Sequence, residues 1–245
     1  MKLSGKIALI TGGGRGIGKA IARVFAREGA DLIICSRTEA EIENTASEIR
    51  SLGRRCLPVK ADVSSEKDVQ ELADKAVKEF GKIDILVNNA GGPGTPQPLL
   101  ETELEDWNQV ITINLTGTFL CSKAVAPLMI EKGEGKIINV SSGMGKKGRP
   151  RFGPYCASKF GVEALTQVLA LELKEFGITV NALAPHAMVA IENLKERALN
   201  QRRQGGAVLE PEEVAEAALF LATQRDDVTG ISLNVFEWIE DRKGR

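Results

Sequence analysis

The chain of 245 residues carries 32 Lys and Arg against 33 Asp and Glu, a formal net charge of −1, with 43% hydrophobic and 27% charged residues. That balance suits a globular protein with a sizeable core and argues against a charge field aimed at nucleic acid or an anionic membrane. Four scattered cysteines (Cys35, Cys56, Cys121, Cys156) without a C-x-x-C pair, and one histidine, His186, leave no zinc-ligand set; the thiols are expected to be reduced and buried.

In chain order, apolar and β-branched runs alternate with longer amphipathic stretches. KIALIT (6–11) reads as a buried strand and is followed by a helix over about 16–28. DLIICS (31–36) is the next strand, then a charged helical stretch at 38–52 that ends at Gly53. RCLPVKADV (55–63) holds a third strand, and a helix over 66–80 stops at Gly81. IDILVNNAG (83–91) is a strand running into a polar turn. A helix over 103–131, a strand KIINVSS (136–142), a helix over 155–176 and a strand ITVNALAP (178–185) continue the alternation.

Strands that are apolar throughout and separated by helices predict an α/β protein, a Rossmann-type doubly wound parallel sheet with helices on both faces. No Ser/Gly/Pro-rich linker divides residues 1–245, so a single domain is expected. The least regular part is 187–209, a helical pattern followed by QRRQGG, which reads as a substrate loop. A further helix begins at Pro211, with Glu212 and Glu213 in its first turn, where proline and acids are both favourable. No run approaches the ~18 apolar residues of a bilayer-crossing helix, and MKLSGKIALITGGG leads into a glycine turn rather than a cleavage site; the expected location is the cytoplasm.

TGGGRGIG (11–18) stands where the first strand turns into the first helix. Glycines let the backbone approach a pyrophosphate, and the helix N-terminus offers unpaired N–H groups and a positive dipole end. Gly12, Gly14, Arg15, Gly16, Ile17 and Gly18 are therefore candidate cofactor-binding residues. An acid at the end of the second strand would favour NAD; here Ser36 and Arg37 stand there, and Arg15 lies within the turn. Two guanidiniums near the adenosine ribose favour a 2′-phosphate, hence NADP(H), unless Arg37 is only a solvated loop charge.

YCASK (155–159) puts Tyr155 and Lys159 at i and i+4, neighbours on one helical face. An adjacent ammonium lowers a phenol pKa, which would make Tyr155 a workable general acid for an alkoxide and a base in reverse. Alone, such a pair is common on surface helices. In company with TGGGRGIG, Asp62 after the third strand, NNAG (88–91), Asn114 in INLTGTF and Ser142 in INVSS, it makes the chain resemble the classical short-chain dehydrogenase/reductase family, and within it the β-ketoacyl-[acyl-carrier-protein] reductases and related NADPH-dependent ketone reductases.

The resemblance runs from residue 5 to about 185. It implies that Ser142 hydrogen-bonds a substrate carbonyl oxygen, that Tyr155 protonates it, that Lys159 binds the nicotinamide ribose and that Asn114 holds a water in the proton relay. It also implies that Asp62 faces the adenine, that Asn89, Ala90 and Gly91 pass close to the cofactor, and that Val63, Pro185 and Met188 line it. A homo-oligomer, tetramer or dimer, is a further implication.

Past residue 185 the pattern departs. His186 stands where the family usually has Gly, Ala190 where many members have a Thr on the nicotinamide amide, and Val235, Phe236, Glu237 and Trp238 replace a usual Val-Asp-Gly-Gly. A lost glycine strains a turn if its backbone requires a positive φ. Phe236 and Trp238 would cover the pocket, pack across a subunit interface or simply join the core. The basic loop GKKGRPRFG (145–153) reads as solvated, or as a greeting for an anionic substrate or acyl-carrier protein. Two functions remain open: an NADPH-dependent reductase of a ketone, possibly β-ketoacyl, substrate, and a cofactor-binding member with weak or repurposed activity. Sugar epimerisation on the same fold would need a larger substrate region. His186 is not expected to be the catalytic acid, because Tyr155 with Lys159 fills that role.

Overall fold

The computed structural model describes residues 1–244, and all side chains among them except those of Asn193, Lys195 and Arg202. β1 (Ile7–Thr11) is buried at every position, as its uninterrupted apolar run requires of a central parallel strand. It leads to α1 (Gly16–Arg27), β2 (Asp31–Ser36), α2 (Glu39–Ser51), β3 (Cys56–Lys60), α3 (Glu66–Phe80) and β4 (Ile85–Asn88). The second half contains α4 (Leu104–Ile111), α5 (Gly117–Lys132), β5 (Gly135–Val140), α6 (Gly153–Leu173) and β6 (Ile178–Ala184). After these come β7 (Met188–Val189), α7 (Lys195–Arg203), β8 (Val208–Leu209), α8 (Pro211–Ala222), β9 (Ser232–Asn234) and α9 (Val235–Lys243).

The main sheet has the order β3-β2-β1-β4-β5-β6-β9, and every pair in it is parallel. The chain winds outward from β1 in one direction and from β4 in the other, so the sheet is doubly wound within a single domain. One face is covered by α1, α2, α8 and α9 through Ile21, Phe25, Ile42, Ile49, Val214 and Ile239. The other is covered by α3, α5 and α6 through Val69, Leu72, Val125, Met129 and Leu173. All four cysteines are free and buried. Burial pushes the Cys35 and Cys56 thiols up to about 12, so they behave as small apolar groups.

Local signals explain the element ends. Ser65 caps α3 by accepting from the Asp68 N–H at 3.2 Å, and Gly81 closes it at φ +77°. Pro211 and a Glu210/Glu213 capping box open α8.

The structure refines three sequence expectations. The helix expected over 103–131 runs unbroken from Leu104 to Lys132, α4 and α5 being joined through a π-helical turn, Thr112–Thr116, which rotates Asn114 into the interior. The 187–209 segment is not merely helical: β7 and β8 form a separate parallel pair, with Met188 opposite Val208 and Val189 opposite Leu209. The tail carries β9 and α9. There Phe236 and Trp238 pack against the core cluster, with Trp238 stacked obliquely on Phe220 of α8 at 5.4 Å between ring centroids.

The run Leu104–Lys132 is by length and composition apolar enough to cross a membrane. In this fold it packs against α3, α6, β4 and β5, as core helices of that composition do.

Candidate active site

In a doubly wound sheet the crevice lies beyond the carboxyl ends of the strands where the winding reverses, here between β1 and β4. Two turns meet there. Thr11 Oγ1, at the end of β1, accepts from the Asn89 and Ala90 N–H groups at 2.9 and 3.0 Å. Asn89 Nδ2 donates back to the Thr11 and Gly12 carbonyls at 2.9 and 3.3 Å. Gly12 has φ +67°, and a Cβ there would stand 2.8 Å from Asn89 Nδ2. A Cβ at Gly18 would run into the Gly12 carbonyl, so α1 starts directly beneath the turn. Gly14 lies against α2, its carbonyl accepting from Thr45 Oγ1 at 3.1 Å. Arg15 is exposed at the N-cap of α1, Gly16 is its first residue, and Ile17 packs partly into the core.

Other candidates follow along the same edge. Ser36 ends β2 with its hydroxyl engaged by Thr38, and Arg37 is exposed beside it. Arg37, Ser64, Glu105, Asn108, Gln109 and Ile113 line a cavity of about 540 Å³. That cavity lies at the Arg37 end of the edge rather than beside Tyr155. Asp62 shapes the turn into α3, its Oδ1 accepting from the Ser64 N–H and hydroxyl at 2.9 and 2.6 Å. Val63 is buried against Gly117 at the start of α5.

At the β5–β6 side, Ser142 follows β5 and its hydroxyl accepts from the Met144 N–H at 3.2 Å. It also faces the Tyr155 phenol, which α6 presents from its first turn. Lys159, one turn further, is 5% exposed; its Nζ donates to the Val140 carbonyl at 2.6 Å and lies 5.7 Å from the Tyr155 ring centroid. Burial pulls its ammonium down to about 8, against the pull of Glu163. Asn114 is joined to this group through Ser158: its Nδ2 donates to Ser158 Oγ at 3.2 Å, and that hydroxyl donates to the Tyr155 carbonyl at 2.8 Å.

The expectation for Tyr155 needs one correction. Burial raises the phenol pKa above its ordinary value, with the Ser142 hydroxyl opposing it. Lys159 Nζ is turned to the Val140 carbonyl and acts on the phenol from 5.7 Å, as a nearby charge. A raised pKa keeps the phenol protonated near neutral pH, the form that donates a proton.

His186 is exposed beyond β6, its ring against Gly143, where a Cβ would be 3.4 Å from His186 Cγ. Among the described residues Arg151 is the one non-glycine with positive φ, so His186 carries no strain of the kind a replaced glycine would impose. Pro185 is buried and its carbonyl accepts from the Gly143 N–H at 3.0 Å. Met188 lies in β7, and the Ala190 N–H donates to the Leu209 carbonyl at 2.9 Å.

Residues 6–201 match the short chain dehydrogenase family. The chain belongs to that family. This short-chain dehydrogenase is 39% identical over 238 residues to a 3-oxoacyl-[acyl-carrier-protein] reductase of Synechocystis, covering 95% of this chain and 96% of that protein. It is 37% identical over 242 residues to glucose 1-dehydrogenase 2 of Bacillus subtilis, covering 95% and 94%. The crystal structure of levodione reductase superimposes with a TM-score of 0.87 at 30% identity, covering 95% of this chain and 96% of that one. The dehydrogenase is therefore an oxidoreductase of the nicotinamide-dependent type.

Two acidic residues of the dehydrogenase escaped the sequence reading. The Glu192 carboxylate accepts from the Gly16 N–H at 3.1 and 3.4 Å, on the N-terminus of α1. Glu163, 5% exposed, lies one turn past Lys159 and pairs with Lys146 at 2.8 Å. Glu163 had a local signal, an acid four residues after Lys159 within an apolar helix; Glu192 had none.

Proposed function

We propose that this short-chain dehydrogenase is a cytoplasmic NADPH-dependent reductase of ketones, β-ketoacyl compounds among them, with Tyr155 as proton donor. The observation that carries the proposal is the convergence of Ser142, Tyr155 and Lys159 beside one crevice, with the Lys159 ammonium 5.7 Å from the phenol ring centroid and Ser142 acting on the phenol. The 3-oxoacyl-[acyl-carrier-protein] reductase relative supports the substrate class.

The residues present fit a dinucleotide. The Gly12–Gly18 turn leaves no room for side chains against Asn89 and the Gly12 carbonyl. The α1 N-terminus already receives an anion, the Glu192 carboxylate, as a helix dipole end does. Gly12, Gly14, Arg15, Gly16, Ile17 and Gly18 would hold the pyrophosphate region, and Ser36 and Arg37 the 2′-phosphate. Asp62, Val63, Asn89, Ala90, Gly91, Pro185 and Met188 would line the remainder, with the 187–209 segment closing over the substrate. When bound, the cofactor supplies the hydride.

The protein residues then manage one proton and one oxygen. Ser142 Oγ is placed to donate to the substrate oxygen, which orients the carbonyl toward the phenol. Tyr155, held protonated by burial, gives its proton to that oxygen as negative charge develops on it. Lys159 stabilises the phenolate left behind, its charge kept beside the ring by the Val140 carbonyl. Asn114 braces the first turn of α6 through Ser158 and so fixes where the phenol points.

The large apolar side chains exposed on α4–α6 (Leu104, Phe119, Phe160, Val168, Leu171) support assembly as a homo-oligomer. Sedimentation of the wild type against Leu171→Arg tests this.

A second reading, a cofactor-binding member with little turnover, is favoured by one observation: Glu192 bonds the Gly16 N–H that a pyrophosphate would use. Consumption of NADPH with a panel of β-keto esters, diketones and quinones separates the two. Turnover of any of these establishes the first; NADPH binding with no turnover establishes the second.

A further inference from the structure

Glu163 is a carboxylate inside the molecule, 5% exposed, on a helix whose neighbouring positions are core. A buried carboxylate is costly unless its oxygens are compensated. Its two oxygens reach out of α6 in different directions. One accepts from the Ser232 hydroxyl of β9 at 3.0 Å, and the other pairs with the Lys146 ammonium at 2.8 Å. Lys146 stands four residues beyond Ser142 and nine before Tyr155, in the loop that joins the two proposed catalytic hydroxyls.

That loop is pressed onto the same helix: a Cβ at Gly145 would be 2.9 Å from the Lys159 carbonyl and 2.8 Å from Ser141 Oγ. Glu163 therefore sits where α6, the Ser142–Tyr155 loop and the strand before the altered tail meet. It is also the i+4 neighbour of Lys159, on the same helical face.

We propose that Glu163 is a positioning residue that tethers the Ser142–Tyr155 loop through Lys146, anchors to β9 through Ser232, and holds Lys159 in its charged form. The proposal deepens the carbonyl-reductase reading of the same site and rests on it for its kinetic consequences. The groups around Lys159 are few. Tyr155 and Glu163 come from α6 itself, the Val140 carbonyl from β5 and the uncharged Gly91 from the turn after β4; Lys146 pairs with Glu163. Glu163, one turn along α6 and on the same face, raises the Lys159 pKa that burial has brought down to about 8.

The signs follow. A neutral residue at 163 removes the anion that favours charged Lys159 and leaves Lys146 unpaired nearby, so Lys159 loses its proton at lower pH. A neutral residue at 146 frees the full charge of Glu163 to act on Lys159, so it loses its proton at higher pH. The two substitutions must therefore act in opposite directions, which a merely structural role would not produce.

The experiment is a pH titration of the Lys159 side chain by NMR in lysine-labelled protein, its resonance assigned with Lys159→Arg, in wild type, Glu163→Gln and Lys146→Gln. The midpoint is expected to fall by about one unit in Glu163→Gln and to rise in Lys146→Gln. The alkaline limb of kcat for carbonyl reduction should move with it, while KM for the ketone stays within about twofold. Midpoints that stay put, or that move the same way in both variants, overturn the proposal. Should Glu163→Gln fail to fold, the upward shift in Lys146→Gln decides alone. Opposite NMR shifts in a protein that reduces no carbonyl would leave Glu163's role standing and overturn the activity assigned above.

Discussion

Asn114 clasps Gly92 from both sides: its Oδ1 accepts from the Gly92 N–H and its Nδ2 donates to the Gly92 carbonyl, each at 2.9 Å. The π turn makes this possible by turning an interior side chain toward the loop after β4, and the third bond, to Ser158, carries the same residue to α6. Asn114→Ala removes all three bonds and leaves backbone groups of Gly92 unpaired, at a cost of about 2–3 kcal/mol. Thermal denaturation should show a clear fall in Tm, and turnover should fall with a larger change in kcat than in KM. An unchanged Tm would mean that the clasp is not holding the two segments together.

Tyr155 and His186 should separate cleanly. Tyr155→Phe deletes the proposed proton donor and should lower kcat by at least ~10²-fold while leaving NADPH binding intact. His186→Ala touches an exposed ring resting on Gly143 and should retain most activity. If both substitutions were equally severe in the same steady-state assay, a second proton-transfer residue would have to be admitted.

Arg37 is exposed at the end of β2, on the wall of the 540 Å³ cavity. Arg37→Asp replaces a cation with the carboxylate that accepts ribose hydroxyls and repels a 2′-phosphate. The ratio of kcat/KM for NADPH over NADH should fall at least ~10-fold. Equal constants before and after would remove Arg37 from the cofactor site.

In the proposed cofactor site Glu192 and a pyrophosphate would compete for the Gly16 N–H. Glu192→Gln removes the negative charge from the α1 N-terminus and should tighten NADPH binding by about two- to fivefold, equivalent to about 0.5–1 kcal/mol. Calorimetric titration measures this directly. Weaker binding in the variant would show that Glu192 helps to hold the cofactor rather than standing in its place.

Asp84 ties the start of β4 to that of β1 by accepting from the Ile7 N–H at 2.7 Å, and the ammoniums of Lys132 and Lys82 flank it. Burial alone would push its carboxyl up, but these partners together hold it below the usual value. A depressed folded-state pKa gives stability that is present above the unfolded value of about 3.9 and is lost as pH falls through the folded one. Denaturant midpoints should therefore drop steeply below about pH 4 in the wild type and less steeply in Asp84→Asn, which should already be weaker near neutrality by about 3 kcal/mol. Parallel pH profiles for the two proteins would contradict this.

Much of the architecture was legible because its causes are local. An apolar run such as Ile7–Thr11 can only be a strand covered on both sides, a Gly81 after an amphipathic stretch ends a helix, and Tyr155 and Lys159 share a face because four residues make about one turn. The order of these signals along the chain determined the doubly wound sheet and the proximity of the site residues to its crevice.

Tertiary structure decided what depends on partners distant in sequence. β9, three residues long, is a strand only because β6 offers it an edge, and Trp238 packs against the core only because Phe220 lies beside it. The direction of Lys159 Nζ, toward the Val140 carbonyl, and the burial that raises the Tyr155 phenol pKa depend on packing and not on spacing. Glu192 meets Gly16 across 176 residues and Glu163 meets Ser232 across 69. A charge placed by folding carries no mark in the sequence around it: hydrogen bonds act over ångströms, and only the packed chain brings such residues within reach of each other.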